Sequence, residues 1–459
     1  MKKKILSSAL VLCGLLTATT APAVDLIGVV DMAIKNDPSL KAQAWRRDAT
    51  GENRKQALSA LLPNISATAG INGGNSSADI SGVEVSDNDI DTENYGVSLQ
   101  QSVFDWSRYK QYSIAREQVD QAEASYQATY QLFLLDVASR YFTLLNARDG
   151  VKFSRAQEKA LKRQLEQAEQ RYEVGLTAVT DVHNAQASYD QARATVIRAV
   201  NAKLDAEEAL RERTGVMFEE YSSLTEDLPL ERPEPANSQG WVDMALQHNP
   251  SVRARQIATN ITNETISAQR AGHYPTIGLS ASYNNSINNN YPVFNAGGVD
   301  LVELESNSMN YGLQLNIPIY QGGRISSQTR QASYFHNAAL DDLEAEQRAA
   351  MRQTKNSYNA IEAGIEEVQA LKQALISAKS SLEATQAGFE VGTRTIVDVL
   401  IAEQSYWRSA QNYSTARHTY ILSHLALRQA TGILNRDDLE TVNSLLQTAE
   451  VELLPEDNS

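Results

Sequence analysis

The sequence has 459 residues, with 56 Asp or Glu against 41 Lys or Arg, and its formal net charge is −15 at pH 7. An acidic chain of this kind binds nucleic acid poorly, so we expect no DNA or RNA partner. Its one cysteine, Cys13, lies in an apolar N-terminal run. A disulfide framework or a cysteine-based metal site is therefore not expected in the mature protein.

The N-terminus has the pattern of a secretory signal peptide. Three lysines precede an apolar run from Ile5 to Leu16, and the small residues of a cleavage site follow at 21–23. This pattern predicts a signal peptide over residues 1–23 and a mature protein outside the cytoplasm. No later run of 18 apolar residues is present, so no transmembrane helix is expected.

The chain contains one unit twice. "VDMAIKNDPSLKA" at 30–42 recurs as "VDMALQHNPSVRA" at 242–254. Self-similarity at a fixed offset indicates duplication, and we predict repeats over residues 24–227 and 241–436. The Pro-rich stretch at 228–240 between them is interpreted as a linker.

In each repeat the predicted order is helix, strand, strand and long helices. Proline is absent from 64–228 and from 319–454, which permits very long helices. A helix from Asp105 to Val174 would be about 100 Å long, and a coiled-coil bundle alone would account for it. Its apolar residues recur every three or four positions: Val119, Ala122, Tyr126, Tyr130, Phe133, Val137, Tyr141 and Leu144.

Four segments alternate apolar and polar residues, at about 64–72, 95–104, 276–283 and 311–319, with Gln101 interrupting the second. Strict alternation with tyrosines near the ends is typical of membrane-spanning barrel strands. The same pattern also describes a half-buried soluble sheet, which stays the alternative.

Polar stretches at 73–94 and 284–310 are predicted to be long loops between these strands, as on the outer side of membrane barrels. Four strands cannot close a barrel, and open sheet edges are not tolerated in lipid. Several chains must therefore share one barrel if this interpretation holds. Two chains would give about eight strands and three about twelve, and only the wider barrel leaves a channel.

A helix, glycine, polar turn and helix recur as "RYEVGLTAVTDVHNAQASY" at 171–189 and "FEVGTRTIVDVLIAEQSY" at 389–406. With the repeated "ALRERTGV" and "ALRQATGI", these motifs resemble the TolC-like family of outer-membrane channels. The resemblance covers essentially the whole mature chain.

The resemblance implies a fold of mixed α and transmembrane β structure: a homotrimer with a shared 12-stranded barrel in outer-membrane lipid and a long periplasmic α-helical coiled-coil cylinder. It implies the exit duct of a tripartite efflux or type I secretion system. The expected partners are a periplasmic adaptor (membrane fusion) protein and an inner-membrane ABC or proton-driven pump. No cofactor and no enzymatic activity are expected.

The two turns would lie at the periplasmic entrance of such a duct. Gly175 and Gly392 suit the left-handed position that ends a helix, and Asp398 lies three residues after Thr395, the spacing of a capping box. Helix capping is therefore a sufficient explanation of the motif from local physics alone.

The resemblance adds a gate to this explanation. It implies that Thr180, Asp181 and Arg394 link neighbouring helix pairs and hold the entrance closed, and that copies of Asp398 form an acidic ring. Arg394 and Asp398 are also four residues apart on one helix, so they could simply pair with each other.

The chain departs from the best-known family members at two positions. Ile401 stands where they have a second acid, and Glu403 is not expected to replace it. Phe389 stands where they have a tyrosine, so we expect the closed state to be held more weakly.

No catalytic constellation is present among the six histidines, and His418 and His424 are expected at the surface. Residues 437–459 contain seven acids and no base, which predicts a solvated, partly disordered tail. Two other classes stay open: a soluble periplasmic coiled-coil adaptor or structural protein, and a secreted enzyme without a recognisable site.

Overall fold

The computed structural model describes residues 23–80, 83–225, 228–295 and 298–447, so residues 1–22 of the predicted signal peptide lie outside it. Two short helices, two strands, a very long helix and a shorter helix follow one another, and the same order then recurs. The elements are α1 (Leu26–Asn36), α2 (Pro38–Ser59), β1 (Asn64–Ile80), β2 (Val83–Phe104), α3 (Trp106–Glu173), α4 (Val179–Thr214), β3 (Ser223–Leu224), α5 (Ser238–His248), α6 (Pro250–Arg270), β4 (Thr276–Asn295), β5 (Gly298–Asn316), α7 (Arg324–Glu390), α8 (Ile396–Thr431), α9 (Arg436–Asn443) and β6 (Leu446–Gln447).

The long helices α3 and α7 contain 68 and 67 residues, so each is about 100 Å long. Asp105 caps the start of α3 by accepting hydrogen bonds from the Ser107 and Arg108 backbone N–H groups, and Val174 is its C-cap. The helix predicted from Asp105 to Val174 is confirmed. Within the described ranges, no helix has both the length and the apolar character needed to cross a membrane.

Shorter helices pack along the long ones. Helix α3 packs against α4 over one part of its length and against α2 and α6 elsewhere, and α7 packs against α8, α5 and α6. The short helices start in the same way in both repeats: Asp37 and Asn249 are N-caps, each followed by a proline at the first helical position.

The main core surrounds the middle of the long helices, where α1, α5 and α9 pack across α3, α7 and α8. Tyr141 of α3 is fully buried there, and its hydroxyl donates a hydrogen bond to the Ser222 carbonyl at 2.7 Å. Burial raises the pKa of Tyr141. A buried hydroxyl needs such a partner, so the segment before the second repeat is fixed to the core.

The acidic C-terminal segment begins as ordered structure. Helix α9 buries Leu439 and Val442, and β6 pairs with β3. Asp438 forms an ion pair with Arg428 at 2.8 Å. The prediction of a solvated tail from residue 437 onward is therefore wrong for 437–447, because apolar residues at helical spacing dock this segment onto the core. Residues 448–459 lie outside the described part of the chain.

The four long strands form one antiparallel sheet in the order β1-β2-β4-β5, with β1 and β5 at its edges. Alternate side chains expose an apolar face: Ile71 of β1 is 79% exposed, and Tyr311 and Leu313 of β5 are 81% and 68% exposed. Gln101 interrupts the pattern because its side-chain amide donates to the Leu61 carbonyl at 2.7 Å. A sheet with this much exposed apolar surface needs a cover, and the described part of the chain does not supply one.

The strands are longer than the sequence predicts. The described parts of the expected loops at 73–94 and 284–310 continue β1, β2, β4 and β5 as two hairpins. Polar side chains hydrogen-bond within them: the Asn285 amide donates to Glu305 and to Asn307, both at 2.7 Å. Strand β5 instead stops at Asn316, before Pro318, which has no backbone N–H for the ladder.

Candidate functional site

The candidate site is the pair of turns that joins α3 to α4 and α7 to α8. Gly175 has φ +74° and Gly392 has φ +80°, and each lies directly after the C-cap residue of its long helix. An L-residue with a side chain pays about 1–2 kcal/mol in this left-handed conformation. The glycines therefore let each long helix reverse direction without strain.

Both turns are Schellman motifs, in which two backbone N–H groups after the helix bond back to carbonyls of its last turn. Equivalent residues, 217 positions apart, make the same bonds. The bonds are Gly175 N–H to Tyr172 O (2.9 Å), Leu176 N–H to Arg171 O (2.8 Å), Gly392 N–H to Phe389 O (3.1 Å) and Thr393 N–H to Gly388 O (2.8 Å).

The following helices start differently. The capping box predicted from residue spacing is present at the start of α8. Thr395 is the N-cap, and the Asp398 carboxylate accepts a hydrogen bond from the Thr395 backbone N–H at 2.9 Å. In α4 the N-cap is Ala178, which has no side chain for capping, and Asp181 instead accepts a hydrogen bond from the Thr177 hydroxyl. The two aspartates thus share one helix position but have different partners.

Asp398 is a partly exposed anion. Hydrogen bonds from the backbone N–H and the hydroxyl of Thr395 hold the pKa of its carboxyl below the ordinary value, and nearby Arg394 acts in the same direction. The positive end of α8 also favours a negative charge at this position. Asp398 is therefore ionised at neutral pH and available to cations at the turn.

Arg394 is exposed, and its stem crosses the last turn of α7. A Cβ atom at Gly388 would lie 2.8 Å from Arg394 Cγ, so the glycine makes room for this side chain. Arg394 forms no ion pair with Asp398, and within one chain it is not bonded to Thr180 or Asp181. The alternative of a simple Arg394–Asp398 pair is therefore not observed. Thr180 is exposed on the first turn of α4.

The two helix hairpins meet just behind the turns. A small apolar cluster joins Leu161 of α3 and Ala192 of α4 to Ile396 and Leu400 of α8, and Phe389 of α7 packs against it. A groove of about 750 Å³ opens beside it between α3, α4 and α8, and a polar crevice of about 480 Å³ lies between α3, α7 and α8. The hairpins therefore touch near the turns through few residues.

Ile401 and Glu403 of α8 differ in their exposure. Ile401 is 61% exposed, whereas Glu403 is buried. Glu403 accepts hydrogen bonds from the Trp407 ring N–H at 2.8 Å and from the Gln386 amide at 3.3 Å. Burial raises the pKa of Glu403, an effect that the Trp407 hydrogen bond opposes. The Glu403 carboxylate is therefore engaged inside its own chain.

The histidines of α8 are not surface residues. His418 is buried and its Nδ1 lies 2.6 Å from the Asn146 Oδ1, while His424 is partly buried. Burial lowers the pKa of both imidazoles to about 4. The prediction of a surface position is wrong for His418, because α8 turns this side chain into the core. The described residues contain no cluster of metal-ligating side chains.

Sequence reasoning missed two further features of the site. Trp407 lies four residues after Glu403, so helical spacing could have indicated their hydrogen bond. The guanidinium of Arg171 lies over the ring of Phe389, 218 positions away in the sequence. No local signal predicts that contact.

Comparison with known proteins matches the chain to the family described as "Outer membrane efflux protein" over residues 29–216 and 241–433. The Outer membrane protein TolC of Vibrio cholerae serotype O1 is 39% identical over 427 residues, which cover 93% of this chain and 95% of that protein. The Alkaline protease secretion protein AprF of Pseudomonas aeruginosa is 27% identical over 435 residues, covering 93% and 88%.

The same architecture occurs in a solved structure, the CmeC outer membrane channel of Campylobacter jejuni. Its TM-score is 0.74 at 16% identity, covering 92% of this chain and 89% of that one. A likeness at this identity concerns the fold alone.

Proposed function

The chain belongs to the outer membrane efflux protein family, and from this premise we propose how copies of it assemble and gate. It is a non-enzymatic exit duct of efflux or type I secretion systems, situated in the outer membrane with its helical part in the periplasm. The steps that follow concern its assembly, its entrance and its partners.

Three chains together form one channel. The observation that carries this proposal is the open four-stranded sheet, with edge strands β1 and β5 and an exposed apolar face. In lipid every strand edge must be paired, so β5 of one chain pairs with β1 of the next. Three chains supply a 12-stranded barrel wide enough for a channel, whereas the side chains of eight strands would fill the interior.

The entrance is held closed by Thr180, Asp181 and Arg394. Arg394 is exposed and forms no ion pair with a carboxylate among the described residues, so a neighbouring chain's Thr180 and Asp181 are suitable acceptors. An exposed charge-assisted bond is directional and weak, which suits a contact that a partner must break. Ionised Asp398 side chains from the copies form a single acidic ring that attracts cations.

The duct works with other proteins. Family membership implies a tripartite assembly, and AprF is named for protease secretion. We assign the periplasmic end to an adaptor (membrane fusion) protein and the energy supply to an inner-membrane ABC or proton-driven pump. A soluble adaptor role for this chain itself would leave the exposed apolar face of the sheet unexplained.

We divide the chain into a signal peptide, two repeats and a connecting segment. Residues 1–23 are a signal peptide that is removed on export, and 24–227 and 241–436 are two copies of one unit. Residues 228–240 connect them, with the last three residues of this stretch forming the start of α5.

Planar-bilayer conductance of the detergent-purified protein tests the proposed channel and the proposed ring of Asp398 carboxylates together. We expect small cation-selective steps that a millimolar trivalent cation blocks from one side only, and a mass in detergent of three chains. Asp398→Asn should abolish the block. Thr395→Ala is the matched control, since it removes the cap at a cost of about 1 kcal/mol but keeps the carboxylate, so block should persist. Block retained in Asp398→Asn would refute the ring.

A further inference from the structure

One face of the β4–β5 hairpin changes from polar to apolar toward the end farthest from the helices. Side chains alternate between the two faces along a strand, and register partners on neighbouring strands share a face. On the face opposite Tyr311 and Leu313, every even-numbered position of β4 from 276 to 288 and of β5 from 306 to 316 is polar or glycine. In the proposed barrel this is the inner face, so it lines the channel.

Four apolar side chains follow on the inner face, which we call the inner apolar patch: Tyr291 and Val293 of β4, and Val302 and Leu304 of β5. Tyr291 is the register partner of Val302, and Leu304 is that of Asn288. Each member of the patch is between 38% and 42% exposed in the single chain. The outer end of the proposed channel is therefore lined by apolar surface beyond a polar section.

A β-bulge places two members of the patch on the inner face. The register of β4 against β5 shifts between Asn288 and Tyr291, where three steps along β4 match two along β5. A shift by one residue moves every following side chain to the opposite face. Without the bulge, Tyr291 and Val293 would lie on the outer face, as Tyr283 does. The Asn288 side chain accepts a hydrogen bond from the Asn290 backbone N–H at 3.1 Å, which stabilises the bulge.

A carboxylate lies beside the patch. Asp300 is exposed and is the register partner of Val293, so both side chains lie on the inner face. Tyr291 adds an aromatic ring, whose face attracts cations within about 6 Å. Small-molecule sites combine apolar and aromatic surface with a few placed polar groups. Apolar surface with an aromatic ring and a carboxylate suits a cation that carries apolar substituents.

We propose that the inner apolar patches of three chains, together with Asp300, form a binding site for amphiphilic organic cations at the outer mouth of the duct. The proposal rests on the proposed function, because the patch lines a channel only if several chains close one barrel. Small hydrated cations gain nothing from apolar surface, since they have none to remove from water. The site therefore distinguishes amphiphilic cations from small hydrated ones.

Channel block in planar bilayers tests the site with two probes of equal charge. Tetraphenylphosphonium carries aromatic groups, whereas tetramethylammonium has little apolar surface. All channels carry Asp398→Asn, which removes the proposed acidic ring from the measurement. Added on the side of the outer mouth, tetraphenylphosphonium should block at a concentration about tenfold lower than tetramethylammonium. Leu304→Ser, Tyr291→Ser and Asp300→Asn should each raise the half-blocking concentration of tetraphenylphosphonium by about three- to tenfold.

Leu301→Ser is the matched control. Leu301 lies on the same hairpin and is 53% exposed, but its odd-numbered position on β5 puts it on the outer face. We expect this change to leave block by tetraphenylphosphonium unaltered. Tyr291→Phe keeps the aromatic ring and should likewise behave as the parent channel does.

The outcomes separate the binding site from the proposed function. Equal block by the two probes, or an unchanged half-blocking concentration in Leu304→Ser or Tyr291→Ser, would overturn the site and leave the channel intact. An equal effect of Leu301→Ser would overturn it as well. A patch that only obstructs ions would give Leu304→Ser a higher conductance with unchanged block, which also contradicts binding. A protein that forms no channel would remove the proposed function, and the site with it.

Discussion

At the scale of single residues, the duplicated turns show how one motif acquires two roles. Asp181 and Asp398 are both third residues of their helices, yet Asp181 bonds to Thr177 before the helix and Asp398 to the N-cap Thr395. Only the second satisfies the capping box. A change of one residue at the cap position therefore decides how each carboxylate is held.

Gly388→Ala tests whether Gly388 makes room for the Arg394 side chain. The new methyl would lie 2.8 Å from Arg394 Cγ, closer than van der Waals contact allows, so the side chain must move. We expect higher closed-state conductance in planar bilayers. Gly364→Ala is the control on the same helix, because its nearest neighbour is a Tyr420 ring carbon at 3.6 Å. That change should leave conductance unaltered and stabilise α7 by about 0.5–1 kcal/mol. Equal conductance in both variants would show that Gly388 does not position Arg394.

At the scale of elements, α8 combines an exposed, charged start with a buried middle. Its first turns carry the ionised Asp398 and the exposed Ile401, while further along it buries His418 against Phe142 and Asn146 of α3. Burial favours the uncharged imidazole of His418; nearby Arg417 acts in the same direction, and Asp149 opposes both. Acid therefore destabilises the middle of α8 by protonating its buried histidine. The exposed residues at the start of the helix do not cause this loss of stability.

We predict a loss of stability between pH 6.5 and about 4 from His424. Its pKa is lowered from 6.5 to about 4, chiefly by burial, so the unfolded chain binds the proton more readily. The stabilisation is complete above pH 6.5 and declines as the pH falls toward 4, by up to about 3 kcal/mol. Thermal unfolding in detergent across this range measures it.

His424→Gln should flatten this pH dependence, whereas His183→Gln, which alters an exposed histidine of α4, should not change it. His418 contributes in the same direction, because burial also lowers its pKa to about 4. The interpretation fails if the unfolding midpoint of His424→Gln falls as steeply as that of the wild type.

At the scale of the whole molecule, the sheet is longer than a bilayer requires. Crossing the hydrocarbon layer takes about 9–11 tilted residues, and β4 has 20. Its apolar alternation ends near Tyr283, after which Asn284, Asn285 and Asn288 follow. We therefore propose that the part of the hairpin nearest the helices lies in lipid and that the polar part extends beyond the outer surface.

Leu313→Arg tests which face meets lipid. Leu313 is 68% exposed on the apolar face of β5, and a charge there near the bilayer centre should cost about 2–4 kcal/mol. Gln314→Arg, at the adjacent position on the opposite face, should be tolerated. Urea unfolding from lipid vesicles measures the difference. Similar costs at both positions would contradict the assignment of the two faces.

Features that depend on neighbours along the chain follow from the amino-acid sequence alone. Proline spacing, an N-cap aspartate and a glycine in the left-handed region define α3 from Asp105 to Val174, and residue spacing alone predicts the Thr395–Asp398 capping box. Alternation located the parts of the strands whose apolar side chains are exposed. These signals are local because hydrogen bonds within a helix, turn or strand link residues a few positions apart.

Features that depend on distant contacts follow from the packing of the folded chain. The hairpins continue through the polar stretches because cross-strand bonds extend them, and α9 is ordered because Leu439 enters a core built from both repeats. Arg171 meets Phe389, and His418 meets Asn146, across more than 200 residues. Burial and pairing of this kind arise from the packing of whole elements, so no spacing within the sequence encodes them.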